Sequence, residues 1–172
     1  MLSRRIAILT GGALGLVGPG AWGQPHDALP GPAGRVILTV TGTIGRTNRP
    51  NRAEFDLAML EQLDLRELTT WTPWTDGPVD FEGVLARSLM RAVEARGNEV
   101  VATALNDYRC TIPVEDFNRY DVLLATRMNG APLQVRDKGP IWVIYPWSEH
   151  PELNDMVTRR KSVWQLSRLH VR

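Results

Sequence analysis

Two apolar runs, Val122 to Arg127 and Ile141 to Tyr145, lie on either side of Asn129-Gly130. No other feature constrains the fold of this chain as tightly. Asn-Gly supplies the two left-handed residues that a tight hairpin turn requires, so the first run must reverse there. Both runs are the most apolar in the chain, a pattern of strands buried on both faces, and both are expected to be central strands. Val36 to Thr43, Leu65 to Trp74, Val79 to Gly83, Val100 to Leu105, Tyr108 to Ile112 and Ser162 to Val171 read as further strands. Turn residues such as Asp76-Gly77-Pro78 and Asn106-Asp107 separate them. Two helices are expected. Asn51 with Glu54 three residues later is arranged as a helix-opening capping box, and Phe55, Met59 and Leu63 share one helical face. Leu85, Leu89 and Val93 share the face of a second helix, which Gly97 is placed to end. Strands outnumber helices, so the fold class is α+β, a single compact domain built on a mixed sheet.

The amino terminus reads as a targeting segment rather than fold. Arg4 and Arg5 precede an apolar stretch, Ile6 to Val17, that is too short to span a bilayer. Ala21-Trp22-Gly23 offers small residues for cleavage after Gly23, so residues 1–23 are expected to be a signal peptide. Ala7 stands where a twin-arginine signal usually carries a bulky apolar residue, which favours the general secretory route. Residues 24–34, rich in Pro and Gly, read as a flexible leader, and residues 35–172 as the domain. A periplasmic or secreted protein is expected. No transmembrane segment is read beyond the signal peptide. Of the 20 Lys and Arg residues, two precede the cleavage point, leaving 18 basic against 19 acidic residues. That balance speaks against a nucleic-acid partner. One cysteine, Cys110, cannot form an internal disulfide.

Four stretches carry a resemblance to a known family. Phe81-Glu82-Gly83-Val84 before a leucine-bearing helix is similar to a "F-x-G-V-P-L" helix start, with Leu85 in place of Pro. Ala104-Leu105-Asn106-Asp107-Tyr108 is similar to an "A-x-D-G-Y" strand turn. Val122 to Gly130, with Pro132-Leu133, Gly139-Pro140 and Pro146, resembles "L-A-Y-x-M-N-G-x-P-L … H-G-x-P … P". Ser162 to Leu169 resembles the closing "S-V-K-W-L-x-x-I". In this order and spacing they resemble the molybdopterin-binding domain of the sulfite-oxidase family, over nearly all of the chain from Ile37. The resemblance implies the sulfite-oxidase fold, with molybdenum held by a pterin dithiolene and one cysteine thiolate. That thiolate would stand near Thr69 to Thr72, where Leu68-Thr69-Thr70-Trp71-Thr72-Pro73-Trp74 has no Cys. Lys138-Gly139 replaces the family's His-Gly, and Trp164 replaces the Lys of "V-K-W". A threonine supplies no equivalent to a soft thiolate donor. The expectation is therefore a domain of this fold that has lost the metal ligand and serves as a ligand- or partner-binding accessory module. The alternative is a small molybdopterin-dependent oxidoreductase with an atypical metal ligand.

The candidate residues follow from that expectation. Arg136 and Lys138 are suited to an anion, Arg through two parallel donors and Lys as a point charge. With Asn106, Asp107 and Asp137 they form the expected polar rim of a cofactor-derived groove, and Arg159-Arg160-Lys161 is a further basic run able to join it. The expected ligand is a small anion or a protein partner; no cofactor is expected, molybdopterin being the alternative. No catalytic residue is assigned. His26, His150 and His170 are scattered, so no metal site is expected. On a strand, Cys110 shares a face with Tyr108 and Ile112, where a free thiol is a small hydrophobe rather than a ligand. Trp71 and Trp74 flank Pro73 among threonines and are candidate anchors for a partner. Trp142 and Trp164 lie in apolar runs and are expected in the core.

Overall fold

The computed structural model describes residues 28–172. The expected signal peptide, residues 1–23, and the first leader residues lie outside them. From Ala28 the leader segment is tied to the domain. Leu29 is buried, its N–H donates to the Thr47 carbonyl, and Ala33 and Gly34 donate to Asp56 Oδ2 at 2.9 and 2.7 Å.

Two sheets enclose one core. The first takes its strands from both ends of the chain: β1 (Leu38–Gly42), β2 (Arg52–Phe55), β5 (Glu99–Ala104), β6 (Arg109–Pro113) and β10 (Leu166–Val171), in the order β2-β1-β10-β5-β6. Only β1 and β10 run parallel; the other pairs are antiparallel, so the sheet is mixed. The second is β3 (Leu65–Thr70), β4 (Val79–Leu85), β7 (Leu123–Met128) and the two-residue β8 (Ala131–Pro132), with β9 (Trp142–Ile144) also paired to β7. In the first sheet burial alternates with period two: Leu38 and Val40, Val100 and Ala102, and Leu169 and Val171 face the core. In β7, Leu123 to Thr126 are all buried, which is why its sequence shows no alternation.

The hairpin turn is where the sequence places it. Asn129 and Gly130 have φ of 51° and 75°, and Met128 pairs with Ala131. Of the two expected central strands, β7 is central, whereas β9 pairs with β7 alone. The outer edge of β9 is covered by irregular chain: Val143 N–H donates to the Val163 carbonyl, and Ser162 Oγ donates to the Val143 carbonyl. That cover buries an edge strand as fully as a central one.

Other expectations are corrected. Asn51 to Phe55 does not open a helix. Arg52–Phe55 pairs with β1, and Asn51 sits in the preceding turn with φ of 60°. The true cap of α1 (Leu57–Asp64) is Asp56, whose Oδ1 accepts from Met59 N–H at 2.9 Å. The following helix, α2 (Ala86–Ala92), ends before Gly97. Its exit uses Glu94 at φ of 50°, while Gly97 packs so closely on the chain end that a Cβ would stand 2.4 Å from the Arg172 carbonyl oxygen. The strand expected to reach Trp74 stops at Thr70. Two six-residue helices, α3 (Val114–Arg119) and α4 (Met156–Lys161), are too short to show a helical period and are not foreseen.

Two motif glycines have a direct physical reason. A Cβ on Gly83 would stand 2.1 Å from the Leu124 carbonyl oxygen across the β4–β7 ladder. One on Gly139 would stand 2.2 Å from the Leu133 carbonyl oxygen. Backbones approach there more closely than any side chain allows.

Candidate functional site

The loop after β3 brings Trp74 against three other indoles. Its ring lies 5.6 Å from Trp164, 6.0 Å from Trp142 and 6.2 Å from Trp147, each edge-to-face, and Trp71 lies 6.3 Å from Trp147. The loop's hydroxyls are engaged locally. Ser148 N–H donates to Thr70 Oγ1 at 2.9 Å, Trp71 N–H to Ser148 Oγ at 3.1 Å, and Trp74 N–H to Thr72 Oγ1 at 3.2 Å. Thr70 and Thr72 are both buried.

Trp74 and Trp164 wall a groove of about 500 Å³. Tyr108, Met156 and Val163 supply further apolar lining, and Asn106, Ser162, Arg159 and Arg160 supply the polar groups. Among the described residues no carboxylate is in that lining. Helix α4, capped by Asp155, carries Met156, Arg159 and Arg160 to the groove. Lys161 on the same helix turns away, and its Nζ lies 2.8 Å from Asp116 Oδ2 on α3. Tyr145 donates to the same oxygen at 2.8 Å, and burial first, then Asp116, pushes its hydroxyl well above the usual tyrosine range.

On the other side of Trp164 a smaller hollow of about 310 Å³ is lined by Arg136, Lys138 and Gln165. Lys138 Nζ lies 5.2 Å from the Trp142 ring and 5.5 Å from the Trp164 ring, within cation–π range of both. Lys138 and Gln165 both have positive φ, 75° and 53°, and Gln165 N–H donates to the Lys138 carbonyl at 2.8 Å. Two non-glycine residues in the left-handed region therefore hold each other in place at the edge of the Trp wall. Trp142 Nε1 and, on β7, Thr126 Oγ1 are buried with no hydrogen-bond partner among the described residues. A buried unpaired polar group costs roughly 1–3 kcal/mol.

Of the candidates drawn from sequence, Asn106 lines the groove, and Arg136 and Lys138 line the adjoining hollow. Asp107 points elsewhere, 2.8 Å from Arg168, and Asp137 is 3.2 Å from Arg136. Arg159 and Arg160 of the basic run join the groove, and Lys161 does not. Sequence reasoning placed Trp164 in the core, whereas it is half-buried and forms the partition between the two hollows. Its substitution for a lysine in a motif was the available signal. Cys110 is partly buried, and its Sγ lies 3.7 Å from the Thr111 carbonyl of its own strand. Burial raises its thiol above the usual cysteine range, only partly offset by Lys161 and the Tyr108 hydroxyl. Among the described residues no group of three His, Cys, Asp or Glu side chains is placed to hold a metal ion.

This groove sits on a fold with known relatives. The model of the oxidoreductase molybdopterin binding domain family matches residues 49–150, more than half of the chain. The chain belongs to that family. Among solved structures, the sulfane dehydrogenase SoxCD from Paracoccus pantotrophus superposes with a TM-score of 0.58 at 16% identity. The match covers 78% of this chain and 37% of that one, so the chain spans well under half of that protein's length. The likeness establishes the sulfite-oxidase-type fold. A comparison with curated proteins finds no match. No helix among the described residues is long and apolar enough to cross a membrane.

Proposed function

We propose that this oxidoreductase-family domain works as a binding module, holding a flat, anionic ligand in the groove partitioned by Trp164 without molybdenum bound through a cysteine. The observation that carries the reading is the Trp164 partition itself. Indoles stand on a groove whose charged lining, among the described residues, is Arg159 and Arg160, with Lys138 and Arg136 on the far side. Flat apolar walls with a few oriented cations suit a pterin and its phosphate, or another aromatic anion.

The donor set fits the organic part of molybdopterin and not its metal. The Leu68–Trp74 segment holds hydroxyls already bonded to neighbouring backbone and Ser148. A thiol kept protonated by burial on β6 is a poor metal donor. In this reading Trp74 and Trp164 bind the flat face and Arg159 and Arg160 hold the anionic end. Lys138, fixed against two indoles, sets the second end. An accessory role in the periplasm, or outside the cell, rests on the amino-terminal sequence and on the missing thiolate.

The test is a titration with a pterin monophosphate, followed by tryptophan fluorescence. Quenching is expected, because Trp74 and Trp164 line the site. The double substitution Arg136→Ala, Lys138→Ala removes two cations and should weaken binding at least about tenfold, from roughly 1.5–3 kcal/mol per charged contact. Equal affinity in the double variant would remove those residues from the site. Absence of quenching would remove the pterin-like ligand.

A further inference from the structure

The outer face of the first sheet carries a second polar hollow, of about 350 Å³, that shares no lining residue with the Trp-walled groove. Its floor is made of short side chains, Thr41, Val101 and Thr103. Its rim is Arg109, Arg168, His170 and Arg172, and among the described residues no carboxylate lines it. The register explains this. Thr103 pairs with Arg168 on one side and with Arg109 on the other, so both arginines rise on the same face over one threonine. Adjacent strands are about 4.8 Å apart, which puts the two arginine backbones about 10 Å apart. Both side chains line the hollow over the intervening strand. In the next outward row, Val101 pairs with His170, which pairs in turn with Thr41. A bulge between Leu166 and Arg168 sets Ser167 and Arg168 together opposite Thr103.

The charges in this hollow are only partly answered by the chain. Arg168 and Arg172 reach outward to Asp107 at 2.8 Å and Glu99 at 3.1 Å, both exposed pairs of small energetic value. The Arg109 side chain is exposed and has no hydrogen-bond or ion-pair partner among the described residues. Thr41 Oγ1 lies 2.9 Å from His170 Nδ1, which steadies the ring and leaves Nε2 without a hydrogen-bond partner among the described residues. Three arginines around a floor of short side chains favour an anion between them, and planar guanidinium forks match a tetrahedral oxyanion.

We propose that this sheet face is an anion site for a phosphate or sulfate group, independent of the ligand in the Trp-walled groove. The test is calorimetric titration of the full-length chain with inorganic phosphate and with inorganic sulfate at low ionic strength. Co-sedimentation with phosphatidylglycerol vesicles runs in parallel. Each is repeated on Arg109→Gln and Arg168→Gln. The expected result is saturable binding of either ion, weakened about tenfold or more in Arg109→Gln, as loss of a charged bidentate contact requires. Quenching by the pterin probe stays unchanged in that variant. Vesicle binding lost in Arg109→Gln, without ion binding, would support the same site and assign the phosphate to a lipid headgroup. Absence of binding in all three arms, or binding that Arg109→Gln and Arg168→Gln leave intact, would overturn the proposal.

Discussion

Cys110 and Asp56 show how far a single residue's identity reveals its role. A lone cysteine in a molybdopterin-binding family invites a metal reading, yet alternation along β6 turns it toward Ile112 and the core, and burial holds its thiol protonated. Cys110→Ala should cost on the order of 1 kcal/mol and leave pterin-probe affinity unchanged, measured by urea unfolding and by titration. A large loss of affinity with intact folding would reinstate the thiol as a ligand. Asp56 was hidden by its neighbours: Asn51 and Glu54 imitate a capping box one turn too early. Its carboxylate accepts from Met59, Gly34 and Ala33, and the Met59 and Gly34 N–H groups hold it below the usual range. A carboxyl lowered on folding stabilises above its unfolded pKa, about 3.9, and loses that contribution as pH falls through the folded value. The stability gap between the native chain and Asp56→Asn should therefore be constant near pH 6 and shrink below about pH 4. Urea unfolding across that range measures it, and a gap that widens on acidification would contradict the assignment.

At the scale of elements, the short helix α4 decides the groove, because it brings Met156, Arg159 and Arg160 to one wall. Its anchorage is the partly buried Lys161–Asp116 pair, with Tyr145 on the same carboxylate oxygen. Lys161→Ala leaves Asp116 without its cation and should cost on the order of 2 kcal/mol, lowering Tm by several degrees. Probe affinity should fall with it, as the wall loosens, while Lys161→Arg should restore both. Unchanged affinity in Lys161→Ala would show that α4 is held by its packing alone. Elements with a local cause were legible in the sequence: the Asn129-Gly130 hairpin, β7 with its unbroken apolar run, and the strands about Asn106-Asp107. Elements whose cause is tertiary were not. β2 is a strand because β1 lies beside it, and α3 and α4 each span six residues. Of the site, the cations were visible as residue types, but register sends Asp107 to Arg168 and helix phase sends Lys161 to Asp116. Neither partner adjoins its mate in sequence.

For the whole molecule, two sheets around one core reproduce a fold whose motif glycines, Gly83 and Gly139, are fixed by backbone contact rather than by cofactor chemistry. Family membership and metal chemistry are therefore separable, as the proposed function requires: a groove that takes a flat anion without a cysteine-bound metal. The most direct measurement is molybdenum and pterin content per chain, by elemental analysis and by pterin fluorescence after oxidation, on the protein purified from its native source. The account predicts molybdenum far below one atom per chain, with or without pterin. Close to one molybdenum and one pterin per chain would contradict it.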